Sequence, residues 1–189
     1  SLLIGILNPY ENKSEFSNLN KNKISSCCME LIPRISRAQS MDVLSSQANL
    51  AGYRSVIDAA EQFGKAFPMM MTAAGRVNPA KVMILGVGVA GLQAIATAKR
   101  LGAVVSATDV RAATKEQVES LGGKFIMVED DEAQNAETAG GYAKEMSEDY
   151  KKKQAQLIAE TVSKQDIVIC TALIPGKKAP VLITEEMVS

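Results

Sequence analysis

The stretch VMILGVGVAG, residues 82–91, is the most informative part of this chain about its fold. Its four leading apolar residues predict a buried strand, and Leu92 to Leu101 follow the glycines with helical spacing. The next predicted strand, Val104 to Thr108, ends at Asp109, which lies 18 positions after Gly91. A glycine pattern alone is weakly specific. A strand, the loop, a helix and an acid in this order predict a dinucleotide-binding domain.

Each glycine of the pattern has a physical role in that prediction. Gly86 permits the tight turn, Gly88 lets the backbone approach a pyrophosphate, and Gly91 lets helix and strand pack closely. The helix begins near Val89, where N–H groups without helical partners and the positive end of the helix dipole favour a pyrophosphate. The loop is therefore a candidate phosphate-binding site.

The acid that follows the second strand predicts which dinucleotide is bound. The Asp109 carboxylate can accept both hydroxyls of an adenosine ribose and would repel a 2′-phosphate. The prediction is therefore NAD(H) and not NADP(H). Arg111 lies two positions further on, and an arginine near this acid can accommodate a 2′-phosphate, so that alternative stays open.

The remainder of the chain after the loop continues the alternation of helices and strands. Three elements are predicted from periodicity, with an acidic loop at residues 129–141: a helix over 112–121, a strand over 124–128 and a helix over 145–163. A fourth strand is predicted over residues 166–170. This alternation predicts an α/β fold with a Rossmann-type, doubly wound parallel sheet of strand order 3-2-1-4.

The first third of the chain predicts a different arrangement. Two short strands are expected at residues 2–7 and 24–31, separated by a polar stretch, and residues 1–39 are interpreted as the remainder of a second α/β lobe. Residues 40–68 have helical periodicity up to Pro68 and are predicted to form a long helix joining the lobes, with Leu50 and Tyr53 on its apolar face. Residues 69–189 form the nucleotide-binding domain, incomplete at its C-terminus. The run Met69–Met71 is interpreted as gap-filling core, with a hydride-site lining as the alternative.

Composition excludes several classes of function. The 21 basic and 21 acidic residues balance, aromatic residues make up 4%, and no basic block favours nucleic acid as a partner. No apolar run is long enough to cross a bilayer. The chain has no His, no metal-ligand cluster is apparent, and the three cysteines are expected to be reduced structural thiols.

Several motifs together resemble the NAD(H)-binding component (alpha subunit, domain I) of proton-translocating NAD(P) transhydrogenase. They are ISRAQSMDVLSSQ at 35–47, FPMMMTAAG at 67–75, the glycine loop, TDVR at 108–111, AGGYA at 139–143 and TALIPG at 171–176. The resemblance runs from about Lys23 to the end. It implies a transhydrogenase component, held at the cytoplasmic or mitochondrial-matrix side of the inner membrane by its partners. A hydride would pass to an NADP(H)-binding component, coupled to proton translocation through a membrane component, and the chain would pair as a homodimer.

The resemblance also implies roles for individual residues. Arg34 and Asp42 would hold the carboxamide end of the nicotinamide, and Gln39, with Ser45 nearby, would reach towards the partner's cofactor. Without the resemblance, Ser40 or Asp42 as an ordinary helix cap is the alternative. A lid over residues 136–146, with Tyr142 at its tip, would close over the nucleotide. Further nucleotide contacts are implied for Val89, Val110, Arg111, Gly141, Gln154 and Leu173.

Two other interpretations remain, and one expectation concerns the ends of the chain. An alanine-dehydrogenase-like enzyme would share the fold but needs an acid–base His, whereas hydride transfer between nicotinamides needs only positioning and exclusion of water. A fragment that binds NAD without catalysis is the second. The family's first lobe and later strands are mostly missing here, so the chain is expected to be a fragment whose fourth strand, residues 166–170, exposes an apolar edge.

Overall fold

The computed structural model describes residues 1–128, 147–174 and 178–188. Within these residues the chain forms two compact units, one made of residues 1–48 and one of the described residues from Asn49 onwards. The predicted acidic loop and the predicted lid lie outside the described residues.

The first unit contains a small parallel sheet with a helix between its strands. Strand β1 (Leu2–Gly5) pairs in parallel with β2 (Ser25–Cys28), and helix α1 (Lys13–Lys21) connects them. Two 3₁₀ turns follow, Met29–Leu31 and Ser36–Met41. Both strands are shorter than predicted. Helix α1 was not predicted, because none of its residues is buried and no strong apolar periodicity marks it.

The predicted long helix is shorter than expected and buries a different face. Helix α2 (Val43–Gln62) ends before Gly64, which adopts φ +66°, a left-handed conformation that stops a helix before Pro68. Gly52 and Val56 are its buried residues, whereas Leu50 and Tyr53, expected on the apolar face, are exposed.

The buried face of α2 follows from a close contact at Gly52. A Cβ at Gly52 would lie 2.0 Å from the carbonyl oxygen of Ala90, so only glycine lets the two backbones approach this closely. Periodicity alone therefore selected the wrong stripe of the helix, because a glycine carries no hydrophobic signal.

The second unit contains the predicted doubly wound sheet. Its four strands within the described residues are all parallel, in the order β7-β6-β5-β8: β5 (Lys81–Leu85), β6 (Val104–Thr108), β7 (Lys124–Phe125) and β8 (Ile167–Cys170). Helices α3 (Val89–Arg100) and α4 (Lys115–Ser120) follow β5 and β6, and α5 (Glu148–Val162) precedes β8. The prediction of fold class and strand order 3-2-1-4 is confirmed, although β7 and α4 are shorter than expected.

Strand β5 is the centre of the core. Val82 and Ile84 pack into a cluster with α3 on one face of the sheet, while Met83 and Leu85 pack with Ile158 of α5 on the other. All four side chains are fully buried. Such burial on both faces explains the uninterrupted apolar run in the sequence and fixes the position of the glycine loop that follows.

The methionine run is not part of the core. Strand β3 (Met70–Thr72) forms an antiparallel hairpin with β4 (Gly75–Val77), which was not predicted from the sequence. Met69, Met70 and Met71 are 56%, 52% and 70% exposed. Their interpretation as gap-filling core is therefore wrong, because a protruding two-stranded hairpin has no second layer to bury them.

Two expectations from composition concern thiols and the membrane. Cys27, Cys28 and Cys170 are free. No helix in the described part of the chain combines the length and the apolar character needed to cross a membrane.

Candidate functional site

The glycine loop lies where the carboxyl end of β5 meets the start of α3. Gly86 adopts φ +99°, which favours glycine, and Gly88 is the N-cap residue of α3. By helix geometry the N–H groups of the first turn have no partner within the helix, and no side chain caps this one. A Cβ built on Gly88 meets nothing within 4 Å, so the backbone here is open to the approach of a ligand. The loop can therefore cradle an anion.

Gly91 sets the distance between α3 and the loop. A Cβ at Gly91 would lie 1.9 Å from the carbonyl oxygen of Gly86 and 3.1 Å from the hydroxyl of Thr171. Any larger residue would push the helix away from the sheet. Glycine at this position is thus required by packing, whatever ligand the loop binds.

Asp109 follows the carboxyl end of β6 and is bonded directly to the loop. Its Oδ2 accepts the N–H of Val87 at 2.8 Å, and its Oδ1 accepts the N–H of Arg111 at 2.9 Å. The Arg111 guanidinium donates to both carboxylate oxygens at 2.9 Å and to the Val87 carbonyl at 3.2 Å. The side chain of Asp109 is only 8% exposed.

The electrostatics of this cluster keep Asp109 ionised. Burial alone would raise the pKa of Asp109, but hydrogen bonds from the Arg111 side chain and from the Arg111 and Val87 N–H groups, with the Arg111 charge, lower it below its ordinary value. From the sequence, Arg111 was considered only as a nucleotide contact. Its role as the counter-ion of Asp109 was not predicted.

Thr171 follows the carboxyl end of β8 and completes the cluster. Its hydroxyl donates to the carbonyl of Gly86 at 2.8 Å. Thr171 was quoted in a motif but not proposed as a site residue. The signal that could have found it is its place after the fourth strand, because the carboxyl ends of parallel strands form the ligand-binding edge of such a sheet.

The other predicted nucleotide contacts are spread over the second unit. Val89 is the first residue of α3, and Val110 packs beside the buried Tyr150. Gln154 is half-buried on α5, and Leu173 is 72% exposed after β8. Gly141 and Tyr142 lie outside the described residues.

The predicted nicotinamide-binding residues lie around the start of α2. Asp42 is the N-cap: its Oδ1 accepts the Ser45 N–H at 2.9 Å, and its Oδ2 accepts the Ser45 hydroxyl at 2.7 Å. The structure thus gives Asp42 the capping role that was the alternative for this segment. Those Ser45 hydrogen bonds lower the pKa of Asp42, and the charge of Arg34 lowers it further. Gln39 is exposed, and its carbonyl accepts the Asp42 N–H at 3.2 Å.

The cap leaves Asp42 able to bind another group. Each carboxylate oxygen has two lone pairs, so two hydrogen bonds from Ser45 leave acceptor capacity unused. Arg34, Asp42 and Ser45 are linked by charge and hydrogen bonding, whereas the Gln39 side chain is exposed on the preceding 3₁₀ turn.

Comparison with known proteins finds similarity along the whole chain. The chain is 68% identical over 189 residues to a protein named for NAD(P) transhydrogenase subunit alpha in Rhodospirillum rubrum, covering 100% of this chain and 49% of that protein. It is 54% identical over 188 residues to the protein of the same name from Rickettsia prowazekii, with coverage of 100% and 49%. The chain spans about half the length of these curated relatives.

A solved structure and two family models agree with these relatives. The crystal structure of transhydrogenase from Sinorhizobium meliloti matches with a TM-score of 0.87 at 58% identity, covering 100% of this chain and 49% of that one. The model for the alanine dehydrogenase/PNT N-terminal domain matches residues 1–51, and that for the alanine dehydrogenase/PNT C-terminal domain matches residues 55–189. The second model alone covers more than half of the chain, and so the chain belongs to the alanine dehydrogenase/PNT family.

Proposed function

We propose that the second unit binds NAD(H) at the carboxyl edge of its parallel sheet. The observation that carries the proposal is the Asp109 carboxylate, which is hydrogen-bonded to the glycine loop at Val87. In this arrangement the loop and the first turn of α3 hold the pyrophosphate, and Asp109 lies beside them to accept the adenosine ribose. A phosphate site and a ribose acceptor joined by one hydrogen bond fit a dinucleotide better than an isolated phosphate.

The charge of Asp109 supports NAD(H) over NADP(H). The lowered pKa keeps the carboxylate ionised at neutral pH, and a 2′-phosphate would bring a second anion next to it. Arg111 reduces this repulsion, but its guanidinium is already engaged with Asp109 and the Val87 carbonyl. A ribose hydroxyl can bind the remaining lone pairs of the carboxylate without displacing the arginine.

Titration of the chain with NADH and with NADPH tests this assignment. We expect NADH to bind more tightly than NADPH, and Asp109→Asn to reduce the preference, because a neutral amide neither repels a phosphate nor accepts a hydroxyl as strongly. Asp166→Asn is the matched control. The Asp166 carboxylate also accepts a backbone N–H, that of Lys81 at 2.9 Å, but at the amino ends of β5 and β8.

The control variant should retain the nucleotide preference of the wild type. Equal binding of both nucleotides by the wild type would contradict the role of Asp109. An equal loss of preference in the Asp166 variant would mean that the effect reflects general destabilisation.

The proposal extends to hydride transfer, which the bound nicotinamide supplies or accepts. Arg34 and Asp42 would hold its carboxamide through paired polar contacts, and Gln39 and Ser45 would orient the ring towards an NADP(H)-binding component. The 68% identity to a transhydrogenase alpha subunit supports this aspect of the proposal. A membrane component would couple the transfer to proton translocation, with this chain on the cytoplasmic or matrix side and paired as a homodimer.

Reconstitution tests the catalytic role. The chain is mixed with an NADP(H)-binding component of a transhydrogenase, and reduction of an NADP⁺ analogue by NADH is followed. We expect Gln39→Ala to reduce the rate while leaving the Kd for NADH near that of the wild type, because Gln39 is exposed and distant in sequence from the glycine loop. NADH binding without any hydride transfer would favour a binding fragment. Turnover of pyruvate and ammonium would favour the alanine-dehydrogenase alternative.

A further inference from the structure

One peptide group in the glycine loop, Gly86–Val87, is held at both ends by side chains. Its N–H, on Val87, donates to Asp109 Oδ2 at 2.8 Å, and its carbonyl, on Gly86, accepts the Thr171 hydroxyl at 2.8 Å. The two side chains follow different strands, β6 and β8, on either side of β5. The plane of this peptide is therefore fixed by groups from both neighbouring strands.

The orientation of this peptide controls the rest of the phosphate loop. Gly86 has φ +99°, and its N–H donates to the Thr108 carbonyl at 2.9 Å, so its position before the turn is also fixed. The Gly86 carbonyl is the atom that α3 approaches most closely at Gly91. A rotation of the peptide would move the loop that leads to Gly88 and would also change the contact that seats the helix.

Thr171 suits this position in size and in chemistry. Its Oγ1 lies 3.1 Å from the position of a Cβ on Gly91 and 3.0 Å from that of a Cβ on Gly86, so a longer donor would collide with the loop. The hydroxyl has one proton, and the Gly86 carbonyl at 2.8 Å is a better acceptor than the Leu85 carbonyl at 3.4 Å. The Thr171 N–H continues the sheet by donating to Leu85 at 2.8 Å, which fixes the side chain's origin.

We infer that Thr171 is a positioning residue for the pyrophosphate of the bound dinucleotide, acting through the Gly86–Val87 peptide without touching the ligand. Asp109 and Thr171 are then a pair. Asp109 binds the ribose and orients the amide end of the peptide, and Thr171 orients the carbonyl end. The inference rests on the proposed NAD(H) site.

The test uses variants that remove or retain the hydroxyl. Thr171→Val keeps the branched shape without the donor, and Thr171→Ser keeps the donor without the methyl group. Thr161→Val is the matched control, because the Thr161 hydroxyl also donates to a backbone carbonyl, that of Leu157 at 2.7 Å, but on α5. Affinities of the full chain for NADH, ADP and adenosine are measured by calorimetry, together with the melting temperature of each variant.

We expect Thr171→Val to bind NADH and ADP roughly 3- to 10-fold more weakly, the value of one hydrogen bond. Adenosine has no pyrophosphate, so its affinity should not change. Thr171→Ser should restore binding, and Thr161→Val should bind all three ligands like the wild type. Thr171→Ala provides a second hydroxyl-free variant where the valine variant does not fold.

The outcomes separate this inference from the proposed function. A wild-type chain that does not bind NADH overturns both. A wild type that binds NADH, with a Thr171→Val variant that binds it equally well, overturns the positioning role alone. Loss of adenosine affinity by the same factor, or a serine variant as weak as the valine variant, also overturns it, because each would show a general structural effect.

Discussion

A single methyl group at Gly91 provides the sharpest test of how the glycine loop is built. In Gly91→Ala the new Cβ would lie 1.9 Å from the Gly86 carbonyl oxygen and 2.9 Å from the Gly86 carbonyl carbon. Both atoms belong to the backbone, so no side-chain rotation relieves the overlap. Either α3 or the loop must move.

The size of the effect follows from that distance. An ordinary carbon–oxygen contact is about 3.3 Å, so the two segments must separate by roughly 1.4 Å. Overpacking of this kind costs about 1–3 kcal/mol, and the upper end applies because backbone meets backbone. The higher helix propensity of alanine returns up to about 1 kcal/mol. We therefore expect a net loss of about 2 kcal/mol and a melting temperature lower by roughly 4–8 °C.

Gly88→Ser provides the contrasting variant. A Cβ on Gly88 meets no atom within 4 Å, and serine is at least as good an N-cap as glycine, so the melting temperature should not fall. Its side chain would occupy the space that the proposed function gives to the pyrophosphate. Affinity for NADH should therefore fall at least about 10-fold, since an ordered contact is replaced by a steric one.

Thermal unfolding followed by circular dichroism and titration with NADH measure the two effects. A Gly91→Ala variant that melts with the wild type would refute the close contact between α3 and the loop. A Gly88→Ser variant that binds NADH normally would refute the approach of the pyrophosphate to this backbone.

Three further predictions concern other contacts of the site and its supports. Gly52→Ala should lower the free energy of unfolding by about 2 kcal/mol in urea denaturation, because its Cβ would lie 2.0 Å from the Ala90 carbonyl oxygen; a more stable variant would contradict this. Asp42→Ala removes the cap of α2 and should cost about 0.5–2 kcal/mol by the same assay, whereas Asp42→Ser should retain most of the stability. The lowered pKa of Asp109 stabilises the fold at pH values above the ordinary aspartate pKa of about 3.9, and this stabilisation is lost as the pH falls through the folded-state pKa. The stability difference between wild type and Asp109→Asn, measured by denaturation at several pH values, should accordingly shrink on acidification, and a difference that grows would contradict the assignment.

The parts of the fold that could be predicted are those with a strong local signal. The buried run of β5, the glycines and the apolar spacing of α3 lie within residues 81–100 and identify the domain class without knowledge of distant contacts. Helix α1 and the β3–β4 hairpin bury too little to leave such a signal. Tertiary contacts, and not local propensity, determine whether segments of this kind adopt regular structure.

The candidate site could be predicted only incompletely for the same reason. Gly86, Gly88, Gly91 and Asp109 stand in a recognisable order along the chain. The partnership of Asp109 with Arg111 depends on how the chain turns after β6, and the bond from Thr171 depends on which strand lies beside β5. Neither can be derived from spacing alone.

The Gly86–Val87 peptide also imposes an order on the maturation of the site as the chain is synthesised. Asp109 follows Val87 by 22 residues, whereas Thr171 follows Gly86 by 85. At about 5–20 residues per second, a ribosome needs roughly 4–17 s to extend the chain from the loop to Thr171. During that interval the nascent chain contains the loop and its acid but not the strand that orients the peptide from the other side. Nucleotide in the cell therefore stabilises the domain only after β8 has emerged, and the earlier steps of folding must proceed without help from the ligand.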